Sequence, residues 1–175
     1  ALPGERVAAR ITKKKKNHAH AALERIERPS PHRVAAPPCP LFGECGGCAL
    51  QHVDDVAYST WKRERVAETL ARRGLDIEVS APIRVAPGTR RRARLGARAT
   101  AKGVVLGFKA RRSRWLVNVT ECSVARPEIV ALLTPLRAAL SDCLSGGGGA
   151  EVSVTATDGG LDVAVLGAVT IDAEG

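Results

Sequence analysis

Three cysteines, Cys39, Cys45 and Cys48, fall within ten residues of a 175-residue chain, separated by five and then two residues. A fourth, Cys122, comes after 73 intervening residues where a strand should end, and Cys143 closes an apolar helical pattern. Thiols at this density pair as disulfides, ligate a metal or pack as small hydrophobes. An odd number, three of them crowded into one loop, disfavours a disulfide framework. Packing as a hydrophobe fits Cys143 and fits the loop poorly. Thiolates from Cys39, Cys45, Cys48 and Cys122 suit either a structural zinc or a 4Fe-4S cluster, and spacing alone does not separate the two. Gly46 and Gly47 let the backbone fold close around a metal centre and aim amides toward sulfur.

The second chemistry is cationic. The net charge of +9 is unevenly spread: residues 81–127 hold twelve Lys and Arg against one acid, and residues 1–36 hold nine against three, whereas residues 37–80 and 128–175 are net acidic. Two basic blocks flanking a cysteine loop are expected of a nucleic-acid binder. Arg90, Arg91, Arg92 and Arg94, with Lys109, Arg111, Arg112 and Arg114 across a proposed hairpin, can form one positive surface. The planar guanidinium grips phosphate bidentately and stacks on bases. Aromatics are only 3% of the chain, so Phe42 and Trp115 stand out as platforms for exposed bases of single-stranded or looped RNA. Gln51 and His52 follow the cysteine loop and either orient it or touch RNA. The plainer readings are that alternate arginines coat a solvent face, that Lys13, Lys14, Lys15 and Lys16 form a solvated turn, and that Trp61 is a packing residue. His18, His20 and His32 show no ligand spacing.

Elements must position these groups. Apolar residues recur at every second position through 5–11 and 21–27, which predicts two strands joined by the lysine turn. Two strands bury no face alone, so further strands upstream are expected. Pro29, Pro31, Pro37, Pro38 and Pro40 then stiffen a connector. Asp54 and Asp55 cap a helix running to Arg73, with Gly74 as its stop. Val66, Ala67, Leu70 and Ala71 share one face of it, and Tyr58 and Trp61 project from another. Strands are expected over 90–98, 104–109 and 115–119. A helix begins at Pro127 and carries Ile129, Leu132, Leu133, Leu136 and Leu140 on one face, with Pro135 placed to split or kink it. After Gly146–Gly149, read as a linker, strands at 152–157 and 161–165 meet at an Asp158–Gly160 turn, and a further strand starts at Val169–Ile171. The fold class is α+β.

The run from Cys39 to His52, with Phe42-Gly-Glu-Cys-Gly-Gly-Cys48 and Leu50-Gln-His52, resembles the cluster signature of the iron-sulfur RNA uracil-5-methyltransferases. Three further stretches match that family in order: Leu2 to Val7 with the lysine turn, Tyr58 to Lys62, and Arg90 to Leu95 followed by Leu106 to Lys109 and Cys122. The resemblance implies a partial OB-like TRAM barrel at 1–36, a cluster loop at 37–53, a helical segment at 54–80 that packs on a catalytic domain, and a central RNA-binding domain at 81–175 with an antiparallel sheet. It implies a structural 4Fe-4S cluster on Cys39, Cys45, Cys48 and Cys122, and RNA, ribosomal rather than transfer, as partner. It also implies S-adenosylmethionine bound by a C-terminal domain expected to lie outside this chain. In such enzymes a cysteine attacks uracil C6, C5 takes the methyl group, and a base removes the C5 proton. No glycine-rich loop here follows a strand, and Cys143 lacks the family's catalytic motif, so this chain alone is expected to be inactive. The competing class is a stand-alone zinc or iron-sulfur RNA-binding module.

No apolar run approaches the roughly 20 residues of a membrane-spanning helix, and the first residues lack the pattern of a secretory signal. A cytoplasmic, monomeric protein without membrane association is the expectation.

Overall fold

The computed structural model describes residues 1–144 and 147–167. The expected strand at Val169–Ile171 and part of the glycine linker lie outside them. The chain is α+β, and it divides into two compact units, one of Ala1–Pro37 with Leu50–Ile83, the other of Pro38–Ala49 with Arg84–Gly175.

In the first unit, β1 (Arg6–Lys14) and β2 (Ala19–Arg28) form an antiparallel hairpin, with Val7 opposite Ile26 and Ile11 opposite Ala21. Lys13 and Lys14 therefore belong to β1, and only Lys15 and Lys16 lie in the turn. The apolar side of the hairpin is poorly covered: Ile11 is 55% and Leu23 48% exposed. Polar contacts hold this unit instead. Arg33 grips both carboxylate oxygens of Glu5 (Nη2 to Oε2, 2.8 Å), and Glu5 also accepts from the Leu2 and Ser30 amides. These bonds tie the start of β1 to the proline-rich connector. Helix α1 (Asp55–Ala71) starts where Asp54 accepts the Ala57 amide at 2.7 Å, and His32 Nδ1 meets the other Asp54 oxygen at 2.8 Å. Gly74, at φ 74°, takes the left-handed turn expected past the helix end. No α1 residue is buried, and Val56, Trp61 and Val66 are exposed.

The second unit has an apolar core. Strands β3 (Arg92–Thr100), β4 (Gly103–Gly107), β5 (Gly149–Thr157) and β6 (Gly160–Gly167) form an antiparallel sheet in the order β4-β3-β5-β6. Strand alternation decides its two faces. Ala93, Leu95, Ala97, Val152, Val154 and Ala156 point inward and meet Ile129, Leu133, Leu136 and Leu140 of α2 (Pro127–Cys143). Arg92, Arg94 and Arg98 occupy the opposite face. Helix α2 runs on through Pro135, so the proline does not split it. Pro135 and Ala131, whose carbonyl loses its partner, are both on the exposed side, where water can replace the missing bond.

The expected strand at 115–119 is also corrected. This strip runs along β4, with the Val117 amide donating to Phe108 and the Val119 amide to Leu106, but it is not a regular strand. Two side chains interrupt the ladder. Asn118 Oδ1 takes the Leu106 amide at 3.3 Å, and Arg137 Nη2 takes the Val119 carbonyl at 2.9 Å. Gly107 permits the close approach, since a Cβ there would lie 2.0 Å from the Val117 carbonyl oxygen.

Candidate functional site

The cysteine loop belongs to the second unit, and its geometry is made locally. Turns form where the Phe42 amide donates to the Cys39 carbonyl (3.0 Å) and the Cys45 amide to that of Leu41 (2.9 Å). Leu41 packs against the apolar core and anchors the loop. The far side is stitched to the segment after β4. The Gly46 amide donates to the Lys109 carbonyl at 2.9 Å and the Arg111 amide to that of Glu44 at 2.9 Å, with a β-bridge between Cys45 and Ala110. Glycine is required at 46, because a Cβ would meet the Lys109 carbonyl oxygen at 2.7 Å. The glycines thus divide the work expected of both: Gly46 allows the close crossing, and the Gly47 amide donates to Cys45 Sγ at 3.4 Å.

All five cysteines are thiols and half-buried. Burial raises the Cys45 pKa, the Gly47 amide opposes that rise, and negative charge on Cys48, Cys39 and Cys122 raises it further, in that order. Cys48, Cys39 and Cys122 thus each lie within electrostatic reach of Cys45, Cys122 acting most weakly. Among the described residues, however, no three His, Cys, Asp or Glu side chains form a ready-made metal-holding group. Thiolates repel one another, so close approach of four requires a positive centre between them. Cys143 stands at the end of α2 and plays no part in the Cys45 electrostatics.

The cationic residues do not act as one uniform surface. Arg91 is taken by Asp158 (2.8 Å) and the Ala156 carbonyl, and Arg94 pairs with Glu151 at 3.2 Å. Arg90 lies before β3, its backbone bonded to Val124 and Arg126. Arg92, Arg98, Lys109, Arg111, Arg112 and Arg114 are without ion pairs among the described residues, and all but Arg92 and Arg98 stand on the turn that the cysteine loop braces. Arg112 holds a left-handed φ of 56°, which tightens this turn. Phe42 is half-buried in the loop and forms a bridge with Cys45. Gln51 and His52 belong to the other unit, where the His52 carbonyl accepts the Val34 amide at 3.0 Å. Arg98 escaped the sequence reading although it continues the alternation of Arg92 and Arg94 by one further outward position. Asn118 and Arg137 carried no sequence signal, because their roles depend on a distant backbone.

No protein-family model matches the chain. It is 42% identical over 166 residues to an uncharacterized RNA methyltransferase of Brucella suis, covering 95% of this chain and 39% of that protein. It is 38% identical over 168 residues to the 23S rRNA (uracil(1939)-C(5))-methyltransferase RlmD of Halomonas elongata, covering 94% of this chain and 35% of that protein. Along nearly its whole length the chain is similar to one part of proteins named as RNA methyltransferases. An uncharacterized RNA methyltransferase of Mesorhizobium japonicum is a third relative, 40% identical over 164 residues. The chain spans well under half the length of these methyltransferases. The matched region nevertheless takes in both units, so the cysteine loop and the basic turn lie within what the relatives share.

Proposed function

We propose that the parent protein is an S-adenosylmethionine-dependent enzyme that methylates C5 of uridine in ribosomal RNA, and that this chain is its metal-bearing and RNA-gripping portion. The similarity to an enzyme named for a 23S rRNA uracil carries the reading most directly. The chain's own residues support it through the stitching of a four-cysteine region to a basic turn.

The half-buried sulfurs, the amide aimed at Cys45 and the close crossing at Gly46 fit a four-thiolate centre. Cys39, Cys45, Cys48 and Cys122 would hold it. A 4Fe-4S cluster with all four protein ligands supplies cross-linking rather than an open iron for radical chemistry. The residues around it then work mechanically: the loop holds the Lys109–Arg114 turn, and the turn presents its cations to phosphate. Phe42 and the arginines of 90–94 extend the RNA contact of this unit, and Lys13 to Lys16, Gln51 and His52 of the other unit are separate candidate RNA contacts. In this reading the β1–β2 hairpin belongs to a TRAM barrel, and the exposed side chains of α1 meet the catalytic domain.

The test uses the full-length protein, labelled methyl donor, and RNA carrying tritium at uridine C5. Methyl incorporation into ribosomal RNA with matching tritium release is expected, transfer RNA being the poorer substrate. Methylation without tritium release overturns the assignment to C5, and no transfer to any RNA overturns the enzyme reading.

A further inference from the structure

The sheet face opposite α2 carries an open groove of about 650 Å³ within the second unit. Gly96 of β3 lies in its floor, with Leu116 folded directly over it: a Cβ at Gly96 would stand 2.7 Å from Leu116 Cδ2. Arg98, Arg114, Trp115 and Glu151 line the rest that matters chemically. This volume lies within the range of small-molecule sites and suits one nucleotide, not a duplex.

Trp115 is 75% exposed, unusual for the larger of only two aromatic residue types in this unit. Its backbone is nevertheless fixed on both sides. The Trp115 amide donates to Ser113 Oγ at 3.1 Å, and its carbonyl accepts the Ala110 amide at 2.7 Å. A large flat ring is thus held out to solvent by a braced turn. Beside it Arg98 and Arg114 are without ion pairs among the described residues, whereas Glu151 is neutralised by Arg94. The uncompensated positive charge of the groove therefore lies at Arg98 and Arg114, and an anionic backbone is drawn to that end. What remains between is an aromatic and apolar surface with room for a planar base.

We infer that this groove is a stacking site for one unpaired base of single-stranded RNA, with the base against Trp115 and its flanking phosphates on Arg98 and Arg114. The inference rests on the RNA-binding reading above and extends it from a charged turn to a base site on the sheet. Stacking tolerates any base, because each presents a π face, so this site supplies affinity and strand register rather than sequence choice.

The experiment is fluorescence anisotropy of the full-length protein with a labelled single-stranded RNA of about ten nucleotides, a length typical of such sites, titrated at several salt concentrations. Trp115→Ala is expected to weaken binding roughly tenfold with the salt slope unchanged, and Trp115→Phe to retain most of the affinity. Arg98→Ala and Arg114→Ala are each expected to reduce the slope of log affinity against log salt by about 0.7. If wild type binds with a steep salt slope and all three alanine variants match it, the base site is wrong and the RNA reading stands. If wild type binds no RNA, or an acidic peptide displaces RNA through Trp115 with equal strength, the inference falls, and in the first case the wider reading falls too.

Discussion

The two units are built on opposite principles. Among the described residues, the Arg84–Gly175 unit buries fifteen apolar side chains, from Ala93 to Ala156, in one core built mainly from a sheet face and α2. The Ala1–Pro37 unit with Leu50–Ile83 buries no large hydrophobe, Ser30 being the one buried residue among its described residues, and is held by the Glu5–Arg33 pair and the Asp54 cap. Apolar burial stabilises in proportion to area and tolerates changes of pH. Ionic pins are local, directional and titratable. The core unit can therefore hold the cysteine loop in register, whereas the polar unit leaves Ile11, Leu23, Trp61 and Val66 exposed.

The largest expected effect comes from the core. Leu106→Ala or Ile129→Ala, both essentially inaccessible, should destabilise the core unit by about 3 kcal/mol, whereas Leu23→Ala should cost less than about 0.5 kcal/mol. Chemical denaturation of each variant checks this, and equal losses would erase the contrast. Next comes acid. The Arg33 guanidinium holds the Glu5 carboxyl well below its ordinary value near 4.5. A carboxylate with a depressed folded pKa stabilises above its unfolded pKa and loses that contribution as pH falls through the folded value. Hydrogen exchange should then show the β1 start and the connector losing protection progressively as pH falls from about 4.5 toward the depressed folded value, while α2 stays protected. Glu5→Gln should open the same segment already at neutral pH.

A smaller effect sharpens the same contrast at α1. The Ala57 amide, followed by His32, lowers the Asp54 pKa. Asp54→Ala should fray the first turn of α1, and Asp54→Asn should largely preserve it, read from amide exchange at residues 55–58. The smallest lies within the core unit. Arg111→Ala or Arg112→Ala should reduce the salt slope of RNA binding by about 0.7 each, and Arg94→Ala, already paired with Glu151, should change it less.

Much of this architecture was legible in the residues. Period-two alternation gave the β1–β2 hairpin and the outward arginines, and the spacing of Ile129, Leu133, Leu136 and Leu140 gave α2. Cys39, Cys45 and Cys48 read as a loop because glycine and proline surround them. The failures were long-range. Nothing local shows that Asn118 will answer the Leu106 amide or that Arg137 will take the Val119 carbonyl, and those two bonds turn an expected strand into an irregular strip. Likewise, an arginine count does not show which cations are neutralised: Asp158 and Glu151 reach Arg91 and Arg94 from 57 or more residues away.

Under the proposed function, Cys39, Cys45, Cys48 and Cys122 would share one inorganic centre that braces the basic turn. Iron and sulfide analysis of anaerobically purified full-length protein, with its visible absorption spectrum, tests it most directly. About four iron and four sulfide per chain are expected, with colour lost in Cys45→Ser and in Cys122→Ser but kept in Cys143→Ser. Stoichiometric zinc without sulfide, or full iron loading in Cys122→Ser, would contradict it.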